Sequence, residues 1–277
     1  MYGIDLKIEP GADDIDPIKL VISGQNDFGV ASAESVLLAN QKGANLVIVG
    51  VISYKSPTCF VALADKNINS VSDFENKRVG ILTGTETETV YRILMKKNNI
   101  NTESITEIEA PFDLASFIIA DAYDIRPAFV YDELVTLDSK GIPHTIIRPE
   151  DYGVQLMGAV YFTSKKMISE KPEIVQAFVS SIAHGWQNTI KNPDQSILML
   201  QEFDSGVDVE RERASLKKGL DYFRGNNDLV LTVRDSAWTD IEEALTFLQK
   251  WDTSIKIEDC YSNKFINKFH EQSKNKN

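Results

Sequence analysis

The chain has 277 residues, 43% of them hydrophobic and 9% aromatic. That is enough for one large or two ordinary domains, each with a sizeable core. A formal net charge of -12 argues against a broad surface for nucleic acid or anionic lipid, because both would be repelled. The longest apolar stretches, such as ANLVIVGVI, are far shorter than the roughly 20 residues that span a bilayer, so no transmembrane segment is expected.

The opening MYGIDLKIEPG has neither a basic start nor a hydrophobic signal core, so no export signal is expected within it. Strands and helices then alternate. The strands are read in GIDLKIEP, DFGVAS, ANLVIVGVIS, CFVALA, RVGIL, ITEIEA, AFVY, HTIIRP and GAVYFTS, each a short β-branched or apolar run. Between them DPIKLVISGQ, SAESVLLANQKG, VSDFENK, ETETVYRILMKKN, FDLASFIIADAY and DELVTLDSKG carry helical spacing or caps. This alternation predicts α/β units with mostly parallel strands. From about Pro172 the pattern is helical. PEIVQAFVSSIAHGWQNTIKN puts Ile174, Phe178, Ile182 and Trp186 four apart on one face, with Pro172 suited to a first turn, and SAWTDIEEALTFLQKW repeats the arrangement. The tail EQSKNKN reads as frayed.

Cys59 and Cys260 lack metal or disulfide spacing, and Cys59 reads as a buried structural thiol. His144, His184 and His270 form no i, i+4 pair, so neither a metal site nor a histidine-based triad is expected. The stretch VGILTGTETETVY reads strand, glycine turn, helix, but it has no lysine for a nucleotide phosphate. Four further loops at strand ends are rich in small polar and aromatic groups: ASAES, SYKSPT, VYDE and EDYGVQ. In open α/β sheets a ligand crevice lies at that end, where helix N-termini add free N–H groups. Five such loops together point to a small-molecule cleft.

YGIDLKI, DFGVASAESVLLA, VYDELVTLDSKGIP, YGVQLMGAVYFTSKKMI and above all PEIVQAFVSSIAHGWQNTIKNPDQSILML resemble the substrate-binding proteins of ABC importers for thiamine pyrimidine precursors, alkanesulfonates, taurine and nitrate. The resemblance runs along nearly the whole chain. It implies an α/β, two-lobed type II periplasmic-binding-protein fold with a helical C-terminal portion, lobe one formed by residues 1–60 plus 160–277 and lobe two by residues 61–159. Ligand would be trapped between the lobes by hinge closure, without catalysis, cofactor or metal. The partners implied are a small-molecule ligand and the ABC permease and ATPase subunits. The location implied is periplasmic or extracellular and membrane-anchored. Members of that family carry a strand and helix before the YG-D motif, at which this chain starts, so an exposed sheet edge or apolar face is expected.

A sulfonate or nitrate site wants arginine, lysine or converging helix N-termini; the candidate loops offer only Lys55 and, farther off, Arg148. They are richer in Glu86, Asp132, Glu133, Tyr54, Tyr131 and Tyr152, groups that suit a flat, nitrogen-rich ring by stacking and by accepting from amino groups. A pyrimidine-like ligand is therefore favoured over an oxyanion. Tyr131 and Tyr152 are expected to stack, Glu133 and Glu86 to accept hydrogen bonds, and Ser32, Ser56 and Thr85 to offer hydroxyls or mark turn N–H groups. Gly84 turns the chain. Two alternatives of other kinds are a ligand-sensing domain of a membrane receptor and a pyrimidine-precursor synthase. The resemblance implies that such a synthase consumes one of its own histidines, and no histidine lies in a candidate loop.

Overall fold

The computed structural model describes residues 2–11, 15–111, 113–252 and 254–274. The chain divides into two compact units. Unit 1 is Met1–Ser56, Met157–Ser196 and Asp221–Asn277; unit 2 is Pro57–Leu156 and Ile197–Leu220. Elements are numbered along the whole chain.

Unit 1 begins with α1 (Pro17–Ser23), whose ends are written in the sequence. Asp16 accepts the Ile18 and Lys19 N–H groups, Pro17 fills the first turn, and Gly24 leaves the helix at φ 75°. Its three-stranded sheet has the order β1 (Phe28–Ser32), β8 (Ala159–Ser164), β2 (Leu46–Val51), with α2 (Ala33–Gln41) joining β1 to β2. After β8 come α6 (Lys165–Glu170) and α7 (Pro172–Lys191), and the unit ends with α10 (Ser236–Phe247) and α11 (Lys264–Lys274). One face of the sheet packs Val47 and Val49 against Val175, Phe178 and Val179 of α7 and Phe265, Ile266 and Phe269 of α11. The stripe Ile174, Phe178, Ile182, Trp186 lies on this core, as its spacing predicts. The rings of Phe28 and Phe178 stack at 3.8 Å. Gly29 is required by close packing, since a Cβ there would come 2.5 Å from the Phe162 ring.

Unit 2 holds a five-stranded sheet of order β5 (Thr106–Glu109), β4 (Arg78–Ile81), β6 (Ile125–Phe129), β3 (Thr58–Leu63), β7 (His144–Ile147). Its helices include α3 (Glu86–Lys97), the short α4 (Ala115–Ile118) and α5 (Glu133–Ser139). Residues 197–220, which carry most of α8 (Pro193–Phe203) and α9 (Val209–Phe223), group with this unit. Ser215 of α9 donates to the Tyr131 carbonyl at 2.5 Å and Lys218 pairs with Asp138 of α5 at 2.5 Å.

The expectation of mostly parallel pairing needs correction. β4 is parallel to β5 and β6, but β3 is antiparallel to β6 and β7, and β8 is antiparallel to β1 and β2. Each sheet thus has one opposed strand. β3 and β8 directly follow two of the four places, Ser56/Pro57 and Leu156/Met157, where the chain passes from one unit to the other. Strand direction is set by the partners a strand finds in the sheet, which sequence periodicity does not register. A second correction concerns GIDLKIEP, which forms no strand. Alternation supplies side-chain faces, but a strand also needs a partner for its N–H and C=O groups, and none of the described strands pairs with it. β1 and β2 are the edge strands of the unit 1 sheet, and Val30 of β1 is 47% exposed. FDLASFIIADAY gives only the four residues of α4, with Phe112 outside the described residues.

Cys59 is fully buried, its thiol directed to the Ala128 carbonyl at 3.4 Å, and burial pushes its pKa well up. Both cysteines are free thiols. Among the described residues no helix is long and apolar enough to cross a membrane.

Candidate functional site

In unit 1 the ends of β1 and β2 meet at the start of β8. Ser32 is opposite Ala159 in the β1–β8 ladder, and Val51 is opposite Val160 in the β2–β8 ladder. Backbone bonds close this corner: Ala33 N–H donates to Gly158 O at 3.3 Å, Gly158 N–H to Ser53 O at 2.8 Å, and Ser53 N–H to Ala159 O at 3.2 Å. The expected residues Ser32, Tyr54 and Ser56 lie in this neighbourhood of the chain. Ser32 is the residue before α2, and its hydroxyl donates to Ser35 at 2.8 Å. Tyr54 is half-buried, with its N–H on the Tyr222 carbonyl at 3.1 Å. Lys55 sits 4.5 Å above the Tyr222 ring, a cation–π contact. Ser56 is half-buried at the unit boundary.

Two side chains at this corner break the rule that buried polar groups find partners. Glu34, in the first turn of α2, is 2% exposed, and both its carboxylate oxygens lack a hydrogen bond. Ser53 is 1% exposed, and its hydroxyl lacks one too. Burial raises the Glu34 pKa to about 7. Its own amide, Ser32 and the charge of Lys250 oppose that rise only in part. Sequence reading did not single out Glu34 or Ser53. ASAES marked the neighbourhood, but an acidic residue in a first helical turn reads as a partner of the helix dipole.

In unit 2 the corresponding end of the sheet gathers Thr58, the turn Leu82–Thr85, and Tyr131–Glu133. Gly84 adopts φ 79° with open space around it, so the turn selects glycine by backbone conformation. Its N–H donates to the Glu88 carboxylate at 2.8 Å. The Thr85 hydroxyl donates to the Leu82 carbonyl at 2.6 Å and lies 2.8 Å from that of Thr87. Glu86 is 7% exposed and accepts from the Thr58 hydroxyl at 3.4 Å. The turn is therefore closed on its own side chains.

Glu133 opens α5 and is similarly engaged. One oxygen accepts the Phe129 N–H at 2.7 Å, and the other faces the fully buried Arg126 guanidinium at 3.3 Å. Burial still raises its pKa, opposed by the Phe129 N–H and the Arg126 charge. Tyr131 is half-buried, 5.9 Å from the Phe129 ring. Asp132 pairs with Arg211 of α9. The Tyr152 hydroxyl accepts the Val71 N–H at 3.3 Å, in the 3-10 turn Val71–Phe74. An open cavity of about 430 Å³ in this unit is lined by Asp132, Glu133 and residues of α4 including Ile118 and Ile119. It contains no turn residue from 82–86.

His144 bonds the Ile142 carbonyl through Nδ1 at 2.8 Å, His184 is exposed on α7, and buried His270 lies 3.1 Å from the Val230 carbonyl. Among the described residues no group of three or more His, Cys, Asp or Glu is placed to hold a metal ion.

Residues 1–196 match the model of a family described as NMT1/THI5 like. The riboflavin-binding protein RibY of Chloroflexus aurantiacus is 24% identical over 250 residues, 86% of this chain and 70% of that one. A 4-amino-5-hydroxymethyl-2-methylpyrimidine phosphate synthase of Legionella pneumophila is 23% identical, covering 95% and 83%. The formylaminopyrimidine-binding protein of Halalkalibacterium halodurans is 22% identical, covering 94% and 81%. Among solved structures, the periplasmic sulfonate-binding protein SsuA from Methylobacillus flagellatus superposes with a TM-score of 0.69 at 16% identity, covering 93% and 78%. The fold is the α/β fold of type II periplasmic binding proteins.

Proposed function

From the premise that the chain belongs to the NMT1/THI5-like family, we propose that it is the solute-binding component of an ABC importer. Its ligand is a small nitrogen heterocycle such as a pyrimidine precursor of thiamine, bound without chemistry. The observation that carries the proposal is the composition of the strand ends in each unit. The residues proposed to line the site are Ser32, Tyr54 and Ser56 in unit 1 and Gly84, Thr85, Glu86, Tyr131, Glu133 and Tyr152 in unit 2, a set rich in hydroxyls, tyrosines and carboxylates, while Lys55 lies against an aromatic ring. Such groups suit a ring that stacks and donates from amino groups. Two relatives named as binding proteins, one for riboflavin and one for formylaminopyrimidine, support a heterocycle. On this proposal the partners are a permease and an ATPase, and the protein works on the periplasmic or extracellular side of the membrane.

One observation favours the second reading, an oxyanion ligand: the Arg148 Nη1 is buried without a hydrogen-bond partner, and a guanidinium is the natural partner of a sulfonate. A thermal-shift series against 4-amino-5-hydroxymethyl-2-methylpyrimidine, riboflavin, taurine and nitrate separates the two, since a ligand of the native state stabilises it by about 2.7 kcal/mol at one hundred times its Kd. A rise in Tm with the pyrimidine is expected. Stabilisation by taurine or nitrate alone overturns the heterocycle. Recovery of a chemically altered pyrimidine overturns binding without chemistry, and formation of a pyrimidine phosphate together with a mass loss at one of the chain's own histidines, read by mass spectrometry, favours the synthase named among the relatives.

A further inference from the structure

The corner of unit 1 where β1, β2 and β8 meet holds two buried polar side chains that the protein leaves without hydrogen bonds. Glu34 is 2% exposed and Ser53 is 1% exposed. They flank the same short backbone segment: Ala33, next to Glu34, donates to Gly158 O, and Ser53 exchanges bonds with Gly158 and Ala159. Leaving such groups unpaired costs about 1–3 kcal/mol each, more for a charge. The same corner contains the N-terminus of a nine-residue helix, with N–H groups unsatisfied by the helix itself.

We propose that Glu34 and Ser53 form the hydrogen-bonding floor of the ligand site in unit 1, taking the edge of a heterocycle on which an exocyclic amino group stands next to a ring nitrogen. The inference rests on the heterocycle reading above. A carboxylic acid matches that edge with two bonds: its carbonyl oxygen accepts from the amino N–H, and its O–H donates to the ring nitrogen. The same complex forms from a carboxylate and a ring protonated on nitrogen, so the pair holds one proton in either description. The Ser53 hydroxyl adds a donor or acceptor beside it. A Glu34 pKa near 7 keeps that proton available at neutral pH. The charged group whose field reaches Glu34 is Lys250. Of the elements packed on α2, β1 and β2 carry no titratable side chain, β8 carries Tyr161, and the 3-10 turn Ile257–Cys260 carries Glu258, Asp259 and Cys260.

The test is calorimetric titration of the full chain with 4-amino-5-hydroxymethyl-2-methylpyrimidine from pH 5.5 to 9, for the wild type and for Glu34→Gln, Glu34→Leu and Ser53→Ala. Wild-type affinity is expected to fall about tenfold per pH unit above the Glu34 pKa, because the complex keeps one proton that the free protein has lost and binding must take it up. Glu34→Gln, whose amide also offers one acceptor and one donor, is expected to bind with an affinity that no longer changes between pH 7 and 9. Glu34→Leu should keep or raise the Tm while losing about thirtyfold or more in affinity, and Ser53→Ala should lose about fivefold. Tight binding by Glu34→Leu, or a pH profile shared by the wild type and Glu34→Gln, overturns this inference while leaving the functional proposal intact. Failure of the wild type to bind the pyrimidine at any pH overturns both.

Discussion

Glu34 and Glu133 occupy the same place in two units: each stands in the first turn of the helix that follows a strand, α2 after β1 and α5 after β6. Glu133 spends its oxygens on the Phe129 N–H and the Arg126 guanidinium. Glu34 has no hydrogen bond on either oxygen. Burial raises the pKa of both, but only in unit 2 does an ion pair offset it. The contrast separates a carboxylate that holds its own unit together from one held ready for something outside the protein. Two glutamates indistinguishable by sequence position are distinguished by their neighbours.

Four experiments break or sharpen that comparison. The largest effect is expected from Arg126→Ala, because removing one partner of a buried ion pair leaves the other charge uncompensated; a loss of about 3–5 kcal/mol is expected in urea unfolding, and a loss below about 1 kcal/mol would show that Glu133 needs no partner. Next is the pH dependence of stability due to Glu34. Its folded pKa of about 7 lies well above that of an exposed glutamate, so the folded state binds the extra proton and stability falls as pH rises through that window, by about 3 kcal/mol in all. Unfolding free energies at pH 4.5 and 7.5 should show this slope in the wild type and lack it in Glu34→Gln; equal slopes would place Glu34 in contact with water. A smaller loss, about 1–2 kcal/mol, is expected for Gly84→Ala, where φ 79° strains a β-carbon although nothing crowds it; an unchanged Tm would mean that the turn can relax. The smallest is Tyr152→Phe, which removes the acceptor of the Val71 N–H and should cost about 1 kcal/mol, with pyrimidine affinity altered only if the tyrosine also reaches the ligand.

Much of the molecule is legible locally. Asp16, Pro17 and Gly24 mark both ends of α1, Gly84 marks the turn before α3, and the four-residue spacing of Ile174 to Trp186 identifies the face of α7 that meets the core. These signals are legible because capping, left-handed turns and amphipathic spacing are decided by residues within a few positions of one another. The strand-end loops were legible for the same reason. Which of their side chains are already occupied was not.

By itself the sequence determined the alternation of strands and helices, the helical last third and the loops among which a ligand site is to be sought. Only the tertiary structure decided that β3 and β8 run against their neighbours, that Ile4 to Ile8 stay unpaired, and that residues 197–220 group with unit 2. It alone set Arg126 beside Glu133 and left both Glu34 oxygens without a hydrogen-bond partner. Strand direction, pairing and the solvation of a carboxylate all depend on residues far apart in the chain. A local pattern specifies which face a side chain takes, whereas its partner is fixed by whatever the rest of the fold brings to that face.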